Sequence, residues 1–321
     1  FNQQISNVDV CDNLPLSIVF GDVNGLKLTN DVYGHDQGDL LLRSIAEVMV
    51  LNSREGDIVC RMSGDEFIAL LPKTDFRQAK QYMKNVKNCI RQKKTCAIKF
   101  DIALGASTKI NENDDIFNVI KLAEDQMYES KAVNRRDFST QQFNSMLEYL
   151  YGKSKREKRH AENVSKLCAL IGAELNMSEN DIDSLRKAGL YHDIGKIIFS
   201  DDLFYKVGSM TDDELEIVKK HPLIGYRILS LFDKTIGLAN SVLEHHENWD
   251  GTGYPKGLAG NKINLFSRII SVAEVFDSIT HPVNGDSRNK EVALKEIKLL
   301  SSLKFDPVIV NAFIKVMENN S

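Results

Sequence analysis

Near residue 138 the hydrophobic period of this chain changes. Up to that point short β-branched runs alternate with stretches of helical spacing; past it, apolar residues recur at helical spacing almost throughout. One layered core does not accommodate both patterns, so two domains of different class are expected, α+β and then all-α. The length of 321 residues agrees, being about twice the roughly 150 of a single domain.

In the first part, Leu16 to Asp22 reads as a buried strand and Gln37 to Leu51 as a helix. Ile58 to Arg61 and Phe67 to Leu71 read as a hairpin across the Ser63-Gly64 turn. A helix from Phe76 to Lys93, a strand from Ile98 to Gly105 and a helix from Asp115 to Val133 follow. The order β-α-α-β-β-α-β-α predicts a ferredoxin-like sandwich. The expected divisions are 1–137 for this domain, 138–150 for a linker helix and 151–321 for the helical domain. The basic run Lys153 to Arg159 reads as a solvated helix face.

A net charge of -4 argues against a nucleic-acid polymer as partner, because such binders carry a basic stripe. The five cysteines (Cys11, Cys60, Cys89, Cys96, Cys168) are scattered and form no C-x-x-C pair, which fits a reducing cytoplasm. No apolar run reaches the roughly 18 residues of a membrane span.

Two constellations carry chemistry. Asp22 closes an apolar strand, and Asp65 and Glu66 open another after a tight turn. If those strands are neighbours, three carboxylates converge where Mg²⁺ can sit with phosphate oxygens, although each acid alone reads more readily as a turn residue. In the helical part, His192 and Asp193 end an apolar helix with Lys196 a turn beyond. His221 precedes Pro222, His245 and His246 end another apolar run, His160 begins the first helix, and Glu274 lies within the otherwise apolar Ile269 to Phe276. A single such histidine is more often a hydrogen-bonded core residue. Ionisable groups in four separate apolar helices need a shared compensation, and a metal centre supplies it. Four or five imidazoles with two carboxylates exceed the needs of one zinc and suit two metals about 3.5–4 Å apart, bridged by a carboxylate and a hydroxide.

The segment from Asp22 through Lys27, Asn30, Gly34 and Gly38 to Asp39, with Arg61-Met-Ser63-Gly64-Asp65-Glu66-Phe67 and the closing stretch Ala123 to Arg135, resembles the GGDEF diguanylate cyclase family over residues 14–137. The resemblance implies a nucleotidyl-cyclase-type sandwich in which two GTP-loaded domains face each other, hence a homodimer, and make cyclic di-GMP. It implies Mg²⁺ on Asp22 and Asp65, with Glu66 as ligand or base. Asn30 and Asp39 would read guanine, Lys27, Lys131 and Arg135 would meet phosphates, and Gly64 would lie at the nucleotide. Arg54 and Asp57 match the family's R-x-x-D product-inhibition site and read equally well as a surface pair. Ser63 stands at the motif's first glycine, where glycine suits positive φ and close backbone approach. Asn24 stands at a frequent second acid, and only about a dozen residues precede the first strand. Two readings stay open: a cyclase, or a GTP sensor that tunes the second domain. The chain also starts without methionine, so a longer protein with an upstream sensory domain is expected.

His192-Asp193-Ile-Gly-Lys196, then His221-Pro-Leu-Ile-Gly225, then the string His245-His246 to Asp250-Gly251-Thr-Gly253-Tyr254-Pro255 resemble the HD-GYP family of HD-superfamily phosphodiesterases over residues 141–318. That resemblance implies an all-helical HD bundle hydrolysing cyclic di-GMP to pGpG and GMP with two iron or manganese ions. His160, His192, Asp193, His221, His245, His246 and Glu274 map to ligand positions, with Asp193 as the bridge and Lys196 stabilising developing charge or protonating the leaving 3′-oxygen. Asp250, Gly251, Gly253, Tyr254 and Pro255 would form the substrate rim, its glycines letting backbone approach the ligand. Glu274 replaces the usual Asp. Arg156 holds a position where some members carry a glutamate for a third metal, which favours a binuclear centre. His281-Pro282-Val283-Asn284-Gly285 replaces the usual R-P-Y-R/K. Two alternatives follow: another cyclic or linear dinucleotide as substrate, or a receptor that binds without turnover.

Overall fold

Leu16–Asn24 forms strand β1 and is buried along almost its whole length. Its alternate side chains feed two cores. Val19 and Val23 enter one, whereas Leu16, Ile18 and Phe20 enter the other. A strand buried on both faces must sit inside a sheet covered on both sides, and the remaining elements do this. They are α1 (Asn2–Val8), α2 (Leu26–Tyr33), α3 (His35–Leu51), β2 (Ile58–Ser63), β3 (Glu66–Leu71), α4 (Phe76–Gln92), β4 (Lys94–Thr95), β5 (Ile98–Lys99), β6 (Asp101–Lys109) and α5 (Ile116–Lys153). The main sheet runs β2-β3-β1-β6 and is antiparallel throughout, the ferredoxin-like order. Leu41, Ile45, Val86 and Ile90 of α3 and α4 fill one face; Ile5, Val8, Val119, Ala123 and Met127 of α1 and α5 fill the other.

This computed structural model describes residues 2–95, 97–206, 208–282 and 289–319. Cys96 and Val283, Asn284 and Gly285 therefore lie outside the described residues, as does the side chain of Arg135. The chain divides into two compact units between Ser145 and Met146.

Three local outcomes differ from the pattern reading. The dozen residues before the first strand, to which no element was assigned, contain α1, whose Ile5 and Val8 are buried. The strand expected from Ile98 to Gly105 is split: Ile98–Lys99 pairs with Lys94–Thr95, and Asp101–Lys109 pairs with β1. The last helix does not stop near Val133 but continues as α5 to Lys153.

The second unit is helical: α6 (Lys155–Glu174), α7 (Glu179–Tyr191), α8 (Asp201–Phe204), α9 (Asp212–Val218), α10 (His221–Ser230), α11 (Ala239–Leu243), α12 (Leu265–Thr280), α13 (Lys290–Leu299) and α14 (Pro307–Asn319). Ser154 and Ser178 cap α6 and α7, their hydroxyls accepting from the backbone N–H of Glu157 and Asp181. Helix α6 packs on α7, α12 and α14, and α10 packs on α11 and on the 3-10 turn Ile194–Ile198. The last contact depends on Gly195, where a Cβ would stand 1.9 Å from the carbonyl oxygen of His221. Glycine there lets the turn after Asp193 lie directly on the start of α10, which brings Asp193 and His221 together. Among the described residues, no helix is long and apolar enough to cross a membrane.

Candidate metal centre and nucleotide site

Asp193 stands where five helical segments converge. Its Oδ2 is 3.1 Å from His192 Nε2 and 3.8 Å from His160 Nε2, while its Oδ1 is 3.3 Å from His221 Nε2. His221 Nε2 and His245 Nε2 are 3.3 Å apart, and His246 Nε2 lies 3.9 Å from Glu274 Oε1. The ligand atoms fall into two groups, His160-His192-Asp193 and His221-His245-His246, each within 4.8 Å. One oxygen of Asp193 thus faces each group.

The backbone aims these rings. Nδ1 of His192, His221 and His245 is hydrogen-bonded to the carbonyl three residues earlier, Gly189 at 2.8 Å, Val218 at 2.7 Å and Val242 at 2.5 Å. A proton held on Nδ1 points Nε2 into the cluster, the orientation metal-binding imidazoles need. Burial pushes His221 down to about 3, against the pull of Asp193, and also lowers His245 and His246. His192 goes the other way: burial disfavours its charge, but Asp193 and Glu274 outweigh that and hold it up to about 9. Asp193 is buried yet held well below the carboxylate range by His192 and Lys196.

The donor set fits divalent metals. His192 Nε2 and both carboxylate oxygens of Asp193 are buried without a hydrogen-bond partner among the described residues. Such groups cost several kcal/mol unless a cation compensates them. Lys196 supplies part of that charge, its Nζ standing 2.7 Å from Asp193 Oδ2 and 3.1 Å from Glu157 Oε2.

Two acids at the site, Asp277 buried and Glu157 partly so, were not singled out in the sequence. Asp277 Oδ2 lies 2.6 Å from His160 Nδ1, and its Oδ1 accepts from Asn163 Nδ2 at 2.8 Å, so Asp277 orients His160 as backbone carbonyls orient the other three. Glu157 is the second, held against Lys196. The only hint of Asp277 was a second acid one turn after Glu274 in an apolar helix.

In the expected rim, the Tyr254 ring stacks on His246 with centroids 4.9 Å apart. At Gly253 the close approach is to its own chain, since a Cβ there would meet Asn248 N at 2.2 Å. Asp250 accepts from Thr252 N and Oγ1, Gly251 has φ +85, and Pro255 follows a cis bond.

In the first unit, β1 pairs with β3 so that Asp22 faces Glu66, and Val23 N donates to Asp65 O at 2.9 Å. The acids already have partners. Lys131 Nζ is 2.6 Å from Asp22 Oδ1, and Ser63 Oγ donates to Glu66 Oε2 at 2.7 Å. Burial raises the Asp22 carboxyl; Lys131 opposes this, and Asp65 and Glu66 reinforce it. The left-handed φ of the turn falls on Gly64, at +41, and not on Ser63. Serine is therefore tolerated by the backbone, contrary to the expectation from positive φ. Asn24 Nδ2 donates to Asp101 Oδ2 at 2.8 Å. Asn30 Oδ1 is buried without a hydrogen-bond partner among the described residues, and Asp39 lines a cavity of about 270 Å³ with Leu42, Arg43, Arg61 and Phe67. Lys27 is exposed. Arg54 is bound locally, with Nη2 3.2 Å from Asp57 Oδ1 and 3.0 Å from Pro72 O.

A buried carboxylate facing two sets of imidazoles is a donor set suited to divalent metals. The HD domain family model matches residues 144–309, and the chain belongs to that family. The diguanylate cyclase GGDEF domain matches residues 1–137. A cyclic di-GMP phosphodiesterase of Thermotoga maritima is 39% identical over 161 residues, 49% of this chain and 44% of that protein. A cyclic di-GMP phosphodiesterase response regulator of Xanthomonas campestris pv. campestris is 35% identical over 158 residues, 48% of this chain and 42% of that protein. A 3′3′-cGAMP-specific phosphodiesterase of Vibrio cholerae is 38% identical over 121 residues, 38% of this chain and 26% of that protein. The chain thus spans less than half the length of these relatives.

Proposed function

We propose that the helical unit hydrolyses cyclic di-GMP to pGpG and GMP, and that the observation carrying this is Asp193, buried with one carboxylate oxygen turned to each histidine group. His160, His192, His221, His245, His246 and Glu274 would hold two divalent metals, iron or manganese, with Asp193 between them. Bound there, the metals would activate the attacking water and neutralise phosphate charge. Lys196, fixed between Asp193 and Glu157, faces developing negative charge as a persistent cation, because those two carboxylates raise it against burial. Tyr254, stacked on His246, walls the site on the rim side with Asp250, Gly251, Gly253 and Pro255. Incubation of metal-replete protein with cyclic di-GMP and chromatography of the products tests this. pGpG or GMP is expected from the wild type and none from His245→Ala; no product from either sinks the proposal.

The first unit is assigned GTP with Mg²⁺, through Asp22, Asp65 and Glu66 for metal, Asn30 and Asp39 for guanine, and Lys27, Lys131, Arg135 and Gly64 for phosphates. The Lys131–Asp22 and Ser63–Glu66 contacts favour a GTP sensor over an efficient cyclase, since both acids are engaged inside the chain. Cyclase output would require a homodimer, with Arg54 and Asp57 as its product brake. The thiols of Cys11, Cys60, Cys89 and Cys168 are free, in keeping with a cytoplasmic setting. A mixed cyclic dinucleotide is the second substrate reading, favoured by the absence of R-P-Y-R/K after Thr280.

A further inference from the structure

Beside the metal-ligand cluster lies a cavity of about 270 Å³ lined by Arg156, Glu157, His160, Lys196, Glu274 and Ser278. Two cations enter it. Arg156 Nη1 is 3.2 Å from Glu157 Oε1, and Lys196 Nζ is 3.1 Å from Glu157 Oε2, so one carboxylate joins both. The Arg156 guanidinium is not used up by this: its side chain is 39% exposed and its Nη2 reaches His281 O only at 3.4 Å. A guanidinium with an unspent donor, an ammonium close by and two metal-ligand side chains in the same cavity is suited to a tetrahedral oxyanion, whose oxygens can accept from both cations. The volume lies below the roughly 300–1,000 Å³ of pockets that enclose a whole drug-sized ligand, so it suits a phosphate group with part of its sugar.

We propose that Arg156 and Lys196 form a phosphate clamp at the edge of the metal cluster, and that the Glu157 carboxylate holds the two cations where a phosphodiester group of the substrate binds. The clamp deepens the phosphodiesterase reading and rests on it for the identity of the substrate. It also supplies, from the first turn of α6, the phosphate-gripping cation that the sequence after Thr280 does not offer in R-P-Y-R/K form. Two variants have opposite expected signs. Arg156→Ala removes half the clamp, whereas Glu157→Gln removes the competing internal anion.

The test is calorimetric titration of inorganic phosphate into the full chain saturated with manganese, with manganese counted in every variant. Arg156→Ala is expected to weaken phosphate about tenfold, Arg156→Lys less, and Glu157→Gln to tighten it severalfold, all at wild-type manganese content. In turnover, Arg156→Ala should raise KM for cyclic di-GMP more than it lowers kcat. Wild-type phosphate affinity in Arg156→Ala, weaker binding in Glu157→Gln, or loss of manganese with Arg156→Ala would each overturn the clamp. Absence of hydrolysis by the wild type would instead count against the phosphodiesterase reading, while the phosphate titration still decides the clamp.

Discussion

The two units each gather carboxylates, and they treat them in opposite ways. In the helical unit the chain orients its candidate ligands from behind, through carbonyls of Gly189, Val218 and Val242 and through Asp277, and although Lys196 stands 2.7 Å from Asp193 Oδ2, His192 Nε2 and Asp193 Oδ1 have no hydrogen-bond partner among the described residues. In the α/β unit, Lys131 sits on Asp22, Ser63 on Glu66, and Asn24 on Asp101. Buried donor atoms with no internal hydrogen bond suit a bound cation, whereas internally paired acids have less need of one. On this contrast the proposed two-metal centre belongs to the helical unit, while the acids of the α/β unit are held by internal partners.

The sharpest break of that contrast is Asp193→Ala. Phosphodiesterase turnover should fall by about 10³-fold or more, measured as product formation with metal in excess; a loss below tenfold would place the essential bridge elsewhere. Asp277→Asn should come next. Without the carboxylate behind His160, manganese affinity is expected to drop about 10- to 100-fold, with Asp277→Glu recovering part of it and helical circular dichroism unchanged.

Proton linkage gives a smaller effect with a definite sign. His221 ordinarily titrates near 6.5 but sits at about 3 in the folded, metal-free protein. Between those values the unfolded chain takes up a proton that the folded chain refuses, so stability falls as pH drops, by up to about 1.4 kcal/mol per pH unit from this group. His192, raised to about 9, contributes stability below 6.5 that is lost as pH rises through 9. Thermal unfolding of metal-free protein should therefore peak near neutrality, and His221→Gln should flatten the acid limb. An unchanged acid limb would mean that His221 is not held neutral by burial. The smallest change is expected from Ser63→Gly, which frees Glu66: affinity for GTP with Mg²⁺, read by calorimetry, should rise only a few-fold.

Much of this architecture was readable from the chain. The candidate ligands of the helical unit stood out because histidines and acids in apolar helices are costly without a common partner, and His192, Asp193, His221, His245 and His246 do converge. The sandwich followed from strand order, and Asp22 does face Glu66. What stayed hidden depends on packing between distant segments. His160 and Asp277 meet only because α6 packs on α12, 117 residues later, and no local spacing records that. Glu157 looked like one more charge in the basic run Lys153 to Arg159, yet it is largely buried against Lys196. The Lys131–Asp22 pair likewise joins residues 109 apart. The packing of Gly253 on Asn248 was hidden too, because a glycine beside a ligand loop and one against its own backbone leave the same trace in sequence.

Metal counting tests the central contrast most directly. Elemental analysis of the full chain after manganese loading and desalting should give two ions per chain in the wild type and in Asp22→Ala, and fewer than one in Asp193→Ala. Two ions retained in Asp193→Ala, or ions lost in Asp22→Ala, would contradict the assignment of the metal centre to the helical unit.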